Sequence, residues 1–225
     1  MLPEVIIHNS VTLDNAFTAE AFSKKNVDIG LHYEVLLSFH PDALLTGSGS
    51  ALLGTEMCGD NFPAEDESDF KKPVISPEDK RPYDILVDSR GVLKGKLHFY
   101  RRLLHIKDVI VLVSKKTPKD YIDYLSERDY DYIISGDENV DLNTALFELK
   151  SKYGFLVIVS DSGSLLNGVI MNEKIAKKLS LLVYPEIAGK NFRKLFENVT
   201  IPVNADLLTS GTLKDGIVHL LYHLK

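Results

Sequence analysis

Residues 157–168 read V-I-V-S-D-S-G-S-L-L-N-G. An apolar run breaks into four small polar residues, Asp161, Ser162, Gly163 and Ser164, and leucines follow at once. The first part suits a buried strand, while Leu165, Leu166, Val169 and Ile170 recur at helical spacing. A strand that turns through glycine into a helix is the building unit of a parallel α/β sheet. Ligands of such sheets bind outside the carboxyl ends of the strands. The corner at 161–164 is therefore both the key to the fold and the first candidate site.

The same pattern extends in both directions. Short runs of mostly Val, Ile, Leu or Tyr at 5–9, 43–46, 84–87, 109–113, 132–134, 155–159 and 179–184 read as strands. V-I-V-L-V at 109–113 is apolar throughout, which suits a strand covered on both faces. Between the strands lie helical patterns. Thr117 as N-cap with Pro118 in the first turn opens one, with Tyr121, Ile122 and Leu125 as its buried stripe. Asp141 caps another, with the stripe Leu142, Ala145, Leu146 and Leu149, and Gly154 ends it. A third spans 31–39 and stops at His40-Pro41. The tail, 217–224, reads as a late strand at an antiparallel edge. The alternation implies an α/β class: a mixed, mostly parallel sheet with flanking helices, in a single domain over 1–225.

Residues 56–82 break the rhythm. They are acidic, hold four prolines and show no period, so they read as a long acidic surface loop, either a solvated insertion or a functional one.

Bulk properties narrow the function classes. The chain has 225 residues, 44% hydrophobic and 26% charged, as in a globular protein with a substantial core. A net charge of −6 argues against a general nucleic-acid footprint, though not against one basic patch for a phosphate. The only cysteine is Cys58, so neither an internal disulfide nor a Cys-rich metal site is expected. The N-terminus has no signal-peptide pattern, and no apolar run approaches the about 18 residues of a membrane span. A cytoplasmic protein with no membrane or nucleic-acid partner is expected.

Four strand-end junctions carry candidate chemistry. At 161–164, a helix start offers unpaired backbone N–H groups and a positive dipole end to a phosphate, and Ser162 and Ser164 offer hydroxyls. Asp161 would repel phosphate and points to a second ligand beside it. The corner reads alternatively as a tight turn with a serine cap. Gly47, Ser48, Gly49 and Ser50 repeat the design after the 43–46 strand, and two such corners suit a dinucleotide. Ser89-Arg90 and Ser114-Lys115-Lys116 end two further strands, where a hydroxyl followed by cations suits a monophosphate. Taken singly, each also reads as a solvated loop end. Finally, the first strand presents His8 and Asn9, followed by Asp14. His8 titrates near neutral pH if unperturbed, and Asp14 could hold an amino-pyrimidine or pass a proton. A structural histidine and a helix cap are the alternatives.

In this order the junctions resemble the reductase domain of riboflavin-biosynthesis proteins, the RibD C-terminal group of the dihydrofolate reductase-like fold. The family's S/T-L-D-G is similar to Thr12-Leu13-Asp14-Asn15, and its G-x-x-T to Gly47-Ser48-Gly49-Ser50. D-S-R stands as Asp88-Ser89-Arg90. E-G-G-x-x-L-N resembles Asp161-Ser162-Gly163-Ser164-Leu165-Leu166-Asn167. A strand ending in P-x-x-x-G is similar to Tyr184-Pro185-Glu186-Ile187-Ala188-Gly189, and 218–222 resembles the closing strand. The resemblance implies a homodimer, hydride transfer from NADPH, and as small-molecule substrate a diamino- or amino-ribosylamino-pyrimidine phosphate of riboflavin biosynthesis. It implies pyrophosphate near Ser162, Gly163, Ser164 and Leu165, with Gly47, Gly49 and Ser50 also on the cofactor. Ser114 and Lys115 would lie toward its adenosine end, with Ser89 and Arg90 as further cofactor contacts. Asn9, Asp14 and Asp161 would meet the substrate, with His8, Asp14 and Asp161 as the catalytic candidates. Three departures fall on the substrate side: Ala16 replaces a lysine, Asp161 is one methylene shorter than glutamate, and His8 stands for Lys or Asn. A reductase of a pterin-like compound and a non-catalytic binding protein are the competing readings.

Overall fold

A computed structural model describes residues 1–22 and 28–225. The described chain runs β1 (Glu4–Thr12), α1 (Ile29–Leu37), β2 (Ala43–Gly47), α2 (Ser48–Glu56), β3 (Tyr83–Val87), α3 (Leu97–Arg101) and β4 (Val109–Val113). It continues α4 (Lys119–Glu127), β5 (Asp131–Ile134), α5 (Leu142–Tyr153), β6 (Val157–Ser160), α6 (Ser164–Asn172), β7 (Ala176–Tyr184), β8 (Ala205–Thr212) and β9 (Val218–Leu224). These form two compact units, Met1–Pro3 with Asp42–Leu156, and Glu4–Pro41 with Val157–Lys225.

In the first unit four strands run parallel in the order β5-β4-β3-β2. All five residues of β4 are fully buried, because helical layers cover both faces of a parallel sheet. Each such Val or Leu stabilises the fold by about 1.5–3 kcal/mol relative to exposure. Leu93, Leu97, Tyr100, Tyr121, Tyr124 and Leu125 pack on Leu86, Val109, Val111 and Val113. The Asp141 side chain accepts from Thr144 N at the start of α5, and Gly154 ends that helix at φ 75°, as its sequence implies. α4 starts one residue later than expected: Pro118 is its cap, and the Thr117 hydroxyl is drawn away to the Ser89 carbonyl.

In the second unit the order is β6-β1-β7-β9-β8. β6, β1 and β7 are parallel, while β9 and β8 are antiparallel. The tail strand is real but is not the edge. β8 lies outside it, a strand with no sequence forewarning because every one of its residues is exposed and it shows no alternation. Backbone pairing with β9 holds it, with a register shift between Leu207 and Thr209. Helix α1 begins at Ile29 and ends at Leu37, two residues earlier at each end than its apolar spacing suggests. Asp28, whose carboxylate accepts from Leu31 N at 2.8 Å, sets that start.

The acidic stretch between α2 and β3 is mostly exposed and is tied down at a few points. Arg128 forks onto both Glu65 carboxylate oxygens at 2.7 and 2.8 Å. Arg102 holds Asp69 and Asp66, and His98 donates to the Pro63 carbonyl at 2.8 Å. Three of its acids, Glu65, Asp66 and Asp69, are thus matched by Arg102 and Arg128, just after α3 and α4, which no local pattern reveals. Among the described residues no helix is long and apolar enough to cross a membrane.

Candidate active site

The second unit holds His8, Asn9, Asp14 and the corner at 161–164. β6 ends at Ser160, the chain turns through Asp161 and Ser162, and Gly163 leads into α6 with its backbone extended and no capping side chain. Asn9 on β1 and Asn167 on α6 hold this turn from two sides. Asn9 Nδ2 donates to the Ser162 carbonyl at 2.9 Å, and Asn167 Nδ2 donates to the same carbonyl at 2.6 Å. Asn167 Nδ2 also reaches Asn9 Oδ1 at 2.9 Å, and Asn167 Oδ1 accepts from Ser160 Oγ at 2.8 Å. All four residues are buried, so these bonds replace solvation that has been lost. Asn9 thereby braces the turn.

Ser164 is engaged by the segment after β7. Its hydroxyl is fully buried. It donates to Glu197 at 2.8 Å and accepts from Arg193 at 2.7 Å and Asn198 at 3.1 Å. A hydroxyl has one donor and two acceptor positions, so none remains for a phosphate; only the backbone N–H can serve. Leu165 points outward, 65% exposed, and the buried face of α6 is Ser164, Asn167, Gly168, Ile170 and Met171 rather than its leucines. Small residues lie inward because the 198 segment passes close by. A Cβ on Gly168 would come within 2.7 Å of Asn198 Cβ and 3.0 Å of its carbonyl oxygen.

Asp14 caps no helix. Its carboxylate accepts from Thr12 Oγ1 at 2.6 Å, Ala188 N at 3.0 Å, Gly189 N at 2.9 Å and Lys194 Nζ at 2.6 Å. Lys194 above all, then Thr12 and the two backbone amides, hold it well below the usual carboxylate range. It stays ionised and ties the first strand to the segment that follows β7. Lys194, bridged through its backbone to Ala16, sets an ammonium at Asp14 although position 16 lacks a lysine.

His8 is fully buried. Its Nε2 lies 3.2 Å from the His32 carbonyl and its Nδ1 2.9 Å from Ser180 Oγ. Burial first, then the neighbouring His32, push its pKa well below the ordinary histidine value, so it is neutral, not a switch at neutral pH. His32, which sequence patterning passed over as a helix residue, is brought in by the fold: its ring sits 4.5 Å from that of His8.

In the first unit, Gly47 ends β2 and α2 begins at Ser48, so Ser48, Gly49 and Ser50 form the first helical turn, without a capping side chain. A Cβ at Gly49 would meet nothing within 4 Å. Asp88 closes the turn after β3 by accepting from Val92 N and Leu93 N, with Ser89 half-buried and Arg90 exposed beyond it. The buried Ser114 hydroxyl donates to the Glu138 carbonyl, and exposed Lys115 pairs with Asp137 at 2.8 Å. Helix starts without a capping side chain fit the chemistry of phosphate groups.

A family profile described as the RibD C-terminal domain matches residues 3–219. The chain belongs to that family. No curated protein matches it. Among solved structures it is similar to a pyrimidine reductase-like protein from Corynebacterium diphtheriae, at 14% identity and a TM-score of 0.71, covering 99% of this chain and 92% of that one. It is similar to RibD from Acinetobacter baumannii at 16% identity and a TM-score of 0.67, covering all of this chain and 58% of that one. The riboflavin biosynthesis reductase of Saccharomyces cerevisiae matches at 18% identity and a TM-score of 0.65, covering all of this chain and 90% of that one. At such identities the likeness concerns the fold, and the α/β class with a mostly parallel sheet agrees with it.

Proposed function

We propose that this RibD C-terminal family member is an NADPH-dependent oxidoreductase. Its substrate is a diamino- or amino-pyrimidine 5′-phosphate whose ribosylamino group it reduces, in the cytoplasm and as a homodimer. The observation that carries the reading is the family match over residues 3–219. The names of the related structures, a pyrimidine reductase-like protein and a riboflavin biosynthesis reductase, support the substrate class.

When bound, the nicotinamide supplies a hydride; the chain binds and orients. The N–H groups that open α6 hold a cofactor phosphate, kept in place by the Asn9–Asn167 brace. The α2 start at Gly47, Gly49 and Ser50 is, taken by itself, a second phosphate-holding corner. In the first unit, taken by itself, Ser89, Arg90 and Lys115 would contact the cofactor, whereas the Ser114 hydroxyl is spent on the Glu138 carbonyl. Asp161 meets the substrate, while Asp14 and Lys194 fix the neighbouring segment.

Thermal unfolding with each nicotinamide nucleotide tests this. At a hundredfold excess over Kd a ligand stabilises by about 2.7 kcal/mol, which for a chain of this size raises Tm by roughly 5–10 °C. NADPH should do so more strongly than NADH, and the pyrimidine phosphate should be reduced in preference to a pterin panel. No shift with either nucleotide would end the reductase reading.

A further inference from the structure

In the second unit five polar side chains from four elements form one hydrogen-bonded cluster: His8 and Ser10 on β1, His32 on α1, Ser180 on β7 and His219 on β9. The cofactor reading uses none of them. Their bonding fixes which nitrogens carry hydrogen. His8 Nε2 lies 3.2 Å from the His32 carbonyl. A carbonyl oxygen only accepts, so Nε2 carries the hydrogen, and Nδ1 of the neutral ring is a bare lone pair. Ser180 Oγ, 2.9 Å from Nδ1, gives its single hydrogen to that lone pair. The Ser180 oxygen then accepts from His219 Nε2 at 2.9 Å. His8 and His219 are thereby both assigned the Nε2–H form. The donation to the His32 carbonyl ties β1 to the first turn of α1, and Leu31 of that turn packs with Leu182 and Tyr184 of β7.

A proton on His8 would undo this arrangement. Nδ1–H would face an oxygen that already accepts from His219, and the Ser180 hydrogen would lose its acceptor. His8 and Ser180 are both fully buried, so the loss is not made good by solvent. The new charge would stand 4.5 Å, ring to ring, from His32 and one serine away from His219, each a further cation in acid. Other titratable groups surround the cluster. Tyr33 of α1 lies edge-on to His32. Two residues along the strands, Lys178 of β7 pairs with Glu4 of β1 and stands opposite His223 of β9. Asp28, the α1 cap, pairs with Lys214, and the Asp161 charge acts on His32.

We propose that His219, Ser180 and His8 form a proton-operated clip that holds α1 on the sheet, closed while His8 is neutral and released when His8 takes up a proton. The proposal goes beyond the cofactor reading and does not rest on it. Burial first, then His32, hold the His8 pKa well below the ordinary histidine value, so the clip is closed at neutral pH. Its hold on α1 is complete above about 6.5 and is lost as pH falls from there through the folded value. Across that interval the opening equilibrium rises about tenfold per pH unit for each proton taken up.

Two measurements on the free protein test the clip. Long-range nitrogen–proton NMR at neutral pH, assigned with His8→Gln and His219→Gln, should show hydrogen on Nε2 of both rings. Hydrogen exchange of the α1 amides, corrected for intrinsic rates, reads the opening from about pH 7 to about pH 5. In that window Asp28, its carboxyl lowered by Lys214, stays ionised. Protection of α1 should fall about tenfold per pH unit or more, ahead of the β4 amides. His8→Gln, whose amide can still donate to the His32 carbonyl, should take one decade per pH unit out of that slope. Ser180→Ala removes the bond to the neutral ring and should raise the His8 midpoint, whereas a serine that only packs would leave it in place. Hydrogen on Nδ1 of either ring, loss of α1 and β4 protection in step, an unchanged slope in folded His8→Gln, or an unmoved midpoint in Ser180→Ala would each overturn the proposal.

Discussion

Asn167→Ala is the sharpest probe of the turn that carries the site. The side chain is 1% exposed and makes hydrogen bonds to Ser160, Asn9 and the Ser162 carbonyl. Truncation leaves Ser162 O with Asn9 Nδ2, but strands Asn9 Oδ1 and the Ser160 hydroxyl without partners in a buried setting. Each stranded buried group costs about 1–3 kcal/mol, so the two together cost roughly 2–6 kcal/mol. At 2–4 °C per kcal/mol for this size, the midpoint should drop by about 10 °C. Denaturant unfolding of the wild type, Asn167→Ala, Asn9→Ala and the double variant gives the number directly. Once either amide is gone the other has lost its partner, so the pair should couple by about 1 kcal/mol or more. A loss below 1 kcal/mol for Asn167→Ala, or additive single losses, would show that the brace does not hold the turn.

Further outcomes follow from other contacts. Asp14 has its folded-state pKa depressed. The stability it contributes is therefore present above the unfolded value of about 4 and lost as pH falls from there through the folded value. The Tm gap between wild type and Asp14→Asn should accordingly be full at neutral pH and close in strong acid; a gap unchanged at pH 2 would contradict the ion pair with Lys194. His8, lowered by burial, stabilises the fold fully above about 6.5 and loses this as pH falls through its folded value, so its NMR signal should not titrate near pH 6.5. Gly168→Ala gains up to about 1 kcal/mol of helix propensity, but its Cβ meets Asn198 at 2.7 Å. Net destabilisation of about 1–3 kcal/mol is expected, and a stabilised variant in denaturant melts would refute the close approach. Lys115→Ala breaks an exposed pair with Asp137, so stability should change by less than about 1 kcal/mol. If Lys115 meets the NADPH monophosphate, KM for NADPH rises while that for NADH stays; equal effects on both would remove it from the cofactor.

The local grammar of the sequence determined the α/β class, most of the strands and the helix ends at Asp141 and Gly154. It also marked the corner at 161–164, because strand and helix periods and glycine turns are short-range properties. It could not reveal β8, whose eight exposed residues carry no burial pattern, nor the docking of the acidic stretch on Arg102 and Arg128. Nor could it assign states to the site side chains. Asn9 and Ser164 look like ligand donors until Asn167 and the Arg193–Glu197 pair, far along the chain, saturate them. Asp14 looks titratable until Lys194 arrives from 180 residues away. His32 is just a helix residue until α1 sets it beside His8. Which hydroxyls, amides and charges remain for chemistry depends on partners that only long-range packing brings within 3 Å, and that was decided by the tertiary structure.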